Sequence, residues 1–149
     1  MSQPIQSFQQ VVIEPEIDVD TRWWWDALGE GRLELPQCQS CSRSFFPPQP
    51  SCSHCGSTAW KRIQSTGKGR IYSWVVVHKA LDPLFAKEVP YPIVAVELEE
   101  GVRLIGRYRG DTNALREDAP VRTFIYRIET THLLGFECAE DSDIRVTKR

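Results

Sequence analysis

Four of the five cysteines fall in two pairs, Cys38-Gln39-Ser40-Cys41 and Cys52-Ser53-His54-Cys55, with ten residues between them. A Cys-x-x-Cys turn aims two sulfurs at one point, and a second such turn completes a tetrahedron. Zn²⁺ suits that arrangement because it takes four ligands and has no geometric preference of its own. The neighbours Ser40, Ser42, Ser53 and Gly56 are turn formers. Arg43-Ser44-Phe45-Phe46-Pro47-Pro48 gives enough chain between the pairs for a short arm. A disulfide-rich module is the competing explanation. Four thiolates also suit iron, and spacing does not separate the two metals.

With Cys38, Cys41, Cys52 and Cys55 as ligands, no position is open for water or substrate, so the expected role of one Zn²⁺ is structural. A ribbon of about 25 residues cannot bury a core of its own. Metal binding supplies the missing folding energy, about 10–16 kcal/mol in comparable peptides.

A chain of 149 residues allows one domain plus a small appended module. Its 41% hydrophobic and 26% charged content is ordinary for a soluble globular protein. No apolar run approaches a membrane span, and residues 1–20 lack the basic start and apolar core of a secretory signal. Cysteines in metal spacing point to a reducing compartment, hence a cytoplasmic protein. Cys138 is left over and is expected to be a small buried hydrophobe. The formal net charge of −2 and a pI near 5.9 argue against a nucleic-acid-binding surface.

Residues 1–17 show no period and are expected to form a flexible tail. Asp18 or Asp20 is expected to cap a helix spanning residues 18–31, closed by Gly29 and Gly31. Trp23, Trp24 and Trp25 are consecutive, so on a helix they fan over about 200°. One core cannot take all three, and tryptophan is enriched at interface hot spots. Either one or two of them pack on the body with the third half-exposed, or the helix is clamped between the body and another subunit; the clamp is the expectation. Residues 32–63 are assigned to the zinc ribbon. The turn Gly67-Lys68-Gly69 is expected to break the chain ahead of residues 64–149, which read as successive strands. Residues 71–78 are β-branched and aromatic, and residues 93–98 form an apolar run expected to be buried on both faces. Residues 102–109 alternate, with Arg103, Arg107 and Arg109 on one side. Strands over 121–128 and 133–138 complete a mainly β design: an N-terminal helix, a ribbon and a small five-stranded barrel.

These features together resemble the DUF35 family, whose members combine an N-terminal helix, a rubredoxin-like zinc ribbon and a C-terminal OB-fold. The matching pieces are Gly31-Arg32-Leu33, the two cysteine pairs, Phe46-Pro47-Pro48, Gly67-Lys68-Gly69, Tyr72-Ser73, Pro90-Tyr91-Pro92, Val96-Glu97-Leu98 and residues 100–104 with Gly106. The likeness covers about residues 20–138. One departure is Glu117-Asp118-Ala119-Pro120-Val121, where the family often has a glycine before its late strand. The resemblance implies a role in acyl-CoA metabolism: a non-catalytic accessory subunit of a thiolase-like enzyme, of aldolase or thiolase type, in steroid side-chain or other acyl-CoA degradation. It implies a hetero-oligomer with that enzyme.

The residues themselves are compatible with this role. His54, His78 and His132 are not at a recognisable spacing from a nucleophile, so no catalytic residue is assigned. Arg103, Arg107 and Arg109 could meet the phosphates of acyl-CoA, although a solvated outer strand face is the simpler explanation of them. Trp23, Trp24 and Trp25 are the candidate partner interface. The alternative function is a single-stranded nucleic-acid-binding module, with Tyr72 and Trp74 stacking on bases. A third is an Fe(Cys)₄ electron carrier, which would be coloured.

Overall fold

A computed structural model describes residue 11 and residues 13–140. Of the tail assigned to residues 1–17, residues 1–10 and 12 lie outside this description, as do residues 141–149 of the last segment.

The helix α1 (Arg22–Gly29) starts at Thr21, not at either aspartate. Asp18 instead organises the turn before it: its Oδ1 accepts from the amides of Asp20 and Thr21 at 3.0 and 2.9 Å. At the other end Gly31, with φ of 79°, turns the chain so that its amide and that of Arg32 donate to Leu28 and Ala27, both at 2.9 Å. That left-handed conformation costs a glycine little.

The ribbon has two antiparallel strands, β1 (Glu34–Cys38) and β2 (Trp60–Gln64), with Cys38 opposite Trp60. The barrel follows: β3 (Lys68–Val77), β4 (Tyr91–Leu98), β5 (Arg103–Arg109), β6 (Pro120–Ile128) and β7 (Thr131–Cys138). Its closed order is β3-β4-β5-β7-β6. All neighbours are antiparallel except β5 and β7, which run parallel over only residues 107–109 and 135–137. This is the expected five-stranded OB-type barrel.

Three local expectations are corrected. The glycine pair does not break the chain: Gly67 turns, but β3 already includes Lys68 and Gly69. A side chain at Gly69 would strike the carbonyl of Glu97, so glycine lets β3 and β4 approach. Strand β4 is buried on one face only: Pro92, Val94, Val96 and Leu98 are buried, while the residues between them are half-buried. Barrel closure gives each strand one inner face, and the outer face of β4 is only partly covered. Cys138, expected inside, is exposed at the end of β7.

One core joins all three parts. Trp24 and Leu28 of the helix and Leu33 and Leu35 of the ribbon entry pack in the same cluster as Ile71, Val94, Val96 and Phe136 of the barrel. A second, small cluster of Phe45 with Cys38 and Cys52 fills the ribbon.

Candidate functional site

The sulfurs of Cys38, Cys41, Cys52 and Cys55 all lie within 4.8 Å of one another. Cys38 and Cys55 are 3.6 Å apart and Cys41 and Cys52 3.7 Å. A tetrahedron with Zn–S bonds of about 2.3 Å has edges of about 3.8 Å, so the spacing fits one Zn²⁺. The turns also aim amides at the sulfurs: Ser40 and Cys41 donate to Cys38 Sγ at 3.3 and 3.4 Å, and His54 donates to Cys52 Sγ at 3.3 Å. The Cys41 amide is the largest influence drawing the Cys38 thiol down to about 6. Cys55 goes the other way. The Ser57 amide favours its thiolate, but contacts with the other three sulfurs and burial push it up to about 11. Four thiols this close resist ionising together, and a divalent cation removes the conflict. The ring of His54 turns aside, with Nε2 3.3 Å from the Ser44 carbonyl, so its neighbouring cysteines hold the metal without it. The donor set is complete without a substrate position, so the ion it fits is structural.

The three tryptophans pack largely on their own chain. Trp24 is buried, its ring 5.4 Å from Phe46 and edge-on to Trp25 at 4.8 Å. Trp23 lies against Trp60 of the ribbon, with Arg62 over its face at 5.1 Å. The indole N–H groups of Trp23 and Trp24 are buried and find no acceptor among the described residues. Trp25 stays half-buried and faces a cavity.

That cavity, about 390 Å³, sits where β5 and β7 part company. Trp24, Trp25 and Phe46 close it from the helix and ribbon side, and Tyr91, Tyr126 and Leu134 from the barrel side. Ile13 and Pro15 also line it, so the described part of the tail lies along the body. Burial pushes Tyr126 up to about 12 against the pull of Arg107, so its phenol stays protonated. Sequence reasoning did not locate this cavity. Its signal was present: Phe46 and Tyr91 sit in the Phe-Pro-Pro and Pro-Tyr-Pro stretches.

The arginine row splits. Arg103 lies over Tyr72 at 3.7 Å and pairs with Glu97. Arg107 is buried, over Tyr91 at 3.7 Å, with Nη1 and Nη2 3.2 and 3.3 Å from the Glu88 carboxylate. Arg109 donates to Glu137 at 2.6 Å. Arg107 and Arg109 line one cleft of about 580 Å³ with Lys87, next to the apolar cavity, since Tyr91 and Arg107 belong to both. Arg103 is outside that cleft. Each of the three already faces a carboxylate. Of the histidines not near the metal, His78 is exposed and His132 lies beside the helix end at Gly29. No helix among the described residues is long and apolar enough to cross a membrane.

Two family models match: the ChsH2 rubredoxin-like zinc ribbon domain over residues 25–61 and the ChsH2 C-terminal OB-fold domain over residues 62–124. A probable enoyl-CoA hydratase alpha subunit of Thermomonospora curvata is 40% identical over 61% of this chain and 28% of its own. A 3-oxo-4,17-pregnadiene-20-carboxyl-CoA hydratase alpha subunit of Mycobacterium tuberculosis is 33% identical over 74% of this chain and 35% of its own. A DUF35 domain-containing scaffold protein of Methanocaldococcus jannaschii is 39% identical over 48% of this chain and 50% of its own. The chain thus spans half or less of these three relatives. Among solved structures, a chain of an Ltp2-ChsH2(DUF35) aldolase is 32% identical with a TM-score of 0.76, covering 85% of this chain and all of that one.

Proposed function

We propose, from the premise that this chain belongs to the DUF35 family, that it is a non-catalytic accessory subunit of a thiolase-like acyl-CoA enzyme of aldolase or thiolase type. The observation that carries the proposal is the likeness over the whole of the DUF35 chain of an aldolase complex. Two features of the site support it. The metal set closes on itself, leaving no coordination position for chemistry. The cavity is apolar and lies beside a cleft that Lys87, Arg107 and Arg109 line together with Glu88, a pairing that suits an acyl chain and, where phosphate displaces carboxylate, the head of CoA. In this reading Lys87, Arg107 and Arg109 meet the phosphates, Arg103 does not, and Trp25 and Phe46 wall the acyl slot. The two paired arginines then exchange carboxylate for phosphate contacts. In this reading the reacting nucleophile belongs to the partner. A steroid side chain is one acyl group of suitable bulk.

The test is co-expression with a thiolase-like protein from the same organism, followed by acyl-CoA cleavage assays with and without this chain. The expected result is a stable complex whose activity needs both proteins. Turnover by this chain alone, or full activity of the partner without it, refutes the proposal.

A further inference from the structure

Part of the wall of the apolar cavity between β5 and β7 is made by a loosely held segment. Ile13 and Pro15 line it. Residues 13–17 form no helix or strand, and they make no hydrogen bond or ion pair with any described residue. Apolar contact alone keeps the segment down, and that contact is partial: Ile13 is 48% exposed and Pro15 half-buried. Other walls are built differently. Trp24, Leu104 and Tyr126 are buried, on the helix or in paired strands. Both ends of the loose segment are nonetheless placed. Downstream, Asp18 holds the turn that leads into α1. Upstream, Val11 lines the adjoining cleft with Lys87 and Arg107. The result is a strap across the cavity, seated at both ends and unbonded in the middle. Pro15 stiffens it, because the ring fixes its own backbone and keeps Glu14 extended.

We propose that residues 13–17 are a displaceable strap that sorts acyl groups by size: a short acyl chain lies beneath Ile13 and Pro15, and a long one lifts them and takes their seat. This rests on the reading of the cavity as an acyl slot. The exchange is even in its chemistry. Apolar contact has no direction and scales with the area removed from water, so hydrocarbon replaces the isoleucine and the proline without breaking a hydrogen bond. Trp25 and Leu134, which line the same cavity, receive it. With the strap in place the cavity holds about 390 Å³, at the small end of ligand pockets, which span about 300–1,000 Å³. A bulky acyl group therefore needs the strap's place as well.

The probes are butanoyl-CoA and hexadecanoyl-CoA, the second kept below its micelle concentration. They are titrated into the full zinc-loaded chain and into its complex with the thiolase-like partner, and binding is read by calorimetry. Wild type is compared with a chain lacking residues 1–17 and with Ile13→Ser. Removing the strap takes a wall from the short ester and a competitor from the long one. Butanoyl-CoA should therefore bind about threefold more weakly and hexadecanoyl-CoA about fivefold more tightly, which is what a half-buried isoleucine is worth. Ile13→Ser should move both in the same directions by less. A glutamate-specific protease gives a second reading. Glu14 precedes proline and resists cleavage, so the strap is cut after Glu16. Hexadecanoyl-CoA should speed that cut at least fivefold with melting unchanged, and butanoyl-CoA should not. Equal shifts of the two esters on removing the strap, no shift of either, or a cut that hexadecanoyl-CoA does not speed overturns the strap and leaves the slot standing. If neither ester binds the chain or the complex, slot and strap fall together, and the co-expression assay still decides the accessory role.

Discussion

The indole of Trp23 lies 5.6 Å from that of Trp60, centroid to centroid, with the rings tilted by 32°. One residue is on the N-terminal helix and the other on the second ribbon strand, so this contact ties helix and ribbon directly to each other. Such ring pairs add about 0.5–1.5 kcal/mol beyond burial. Trp23→Ala should therefore destabilise the chain by about 2 kcal/mol, measured by urea unfolding. Trp25→Ala should cost less in the isolated chain, because its ring is half-buried against a cavity.

Metal content should be one zinc per chain, read by elemental analysis. Stripping it with a chelator should remove amide protection from residues 34–64 first, because the ribbon's own cluster is only Phe45 and two of the ligating cysteines, flanked by Trp60 and Cys41. Cys38→Ser should do the same. A Cys38→Ser protein with unchanged melting would refute the structural role.

Arg107 and Glu88 form a pair whose side chains are 10% and 14% exposed. Arg107→Ala should cost about 3 kcal/mol, since it takes the guanidinium away from a carboxylate in a poorly solvated place. The double variant Arg107→Met with Glu88→Gln should recover most of that loss in a denaturation cycle. Full additivity would mean the two side chains do not interact.

Glu137 answers to pH. Burial favours its neutral form, but hydrogen bonds from Arg109 and Arg122 outweigh it and hold the carboxyl below its ordinary value. A carboxyl lowered on folding contributes stability that is complete above its unfolded value. That contribution is lost as pH falls through the folded one. Wild type should therefore lose more stability than Glu137→Gln below about pH 4.5, measured as melting temperature against pH. Parallel profiles would show that the pair contributes nothing.

Several features escape a local reading for one common reason. The apolar run at residues 93–98 looks alike whether it is buried on one face or two, and only closure of the barrel leaves Ile93 and Ala95 on its outside. The three consecutive tryptophans show in the sequence that one core cannot take all of them, but not which neighbours do. Trp60, Arg62 and Phe46, which come from the ribbon, take two of the rings. The arginines alternate on one strand as written, yet the carboxylates that meet them come from 6 to 28 residues away. Such pairings leave no mark in a local pattern.

The cysteine spacing, the helix bounded by glycine and the β-rich second half could be read directly, because short-range geometry alone sets a metal knuckle, a helix stop and a strand period. The cavity between β5 and β7 and the shared core of helix, ribbon and barrel could not. Each arises where strands distant along the chain meet or diverge, and that is governed by how a five-stranded sheet closes on itself.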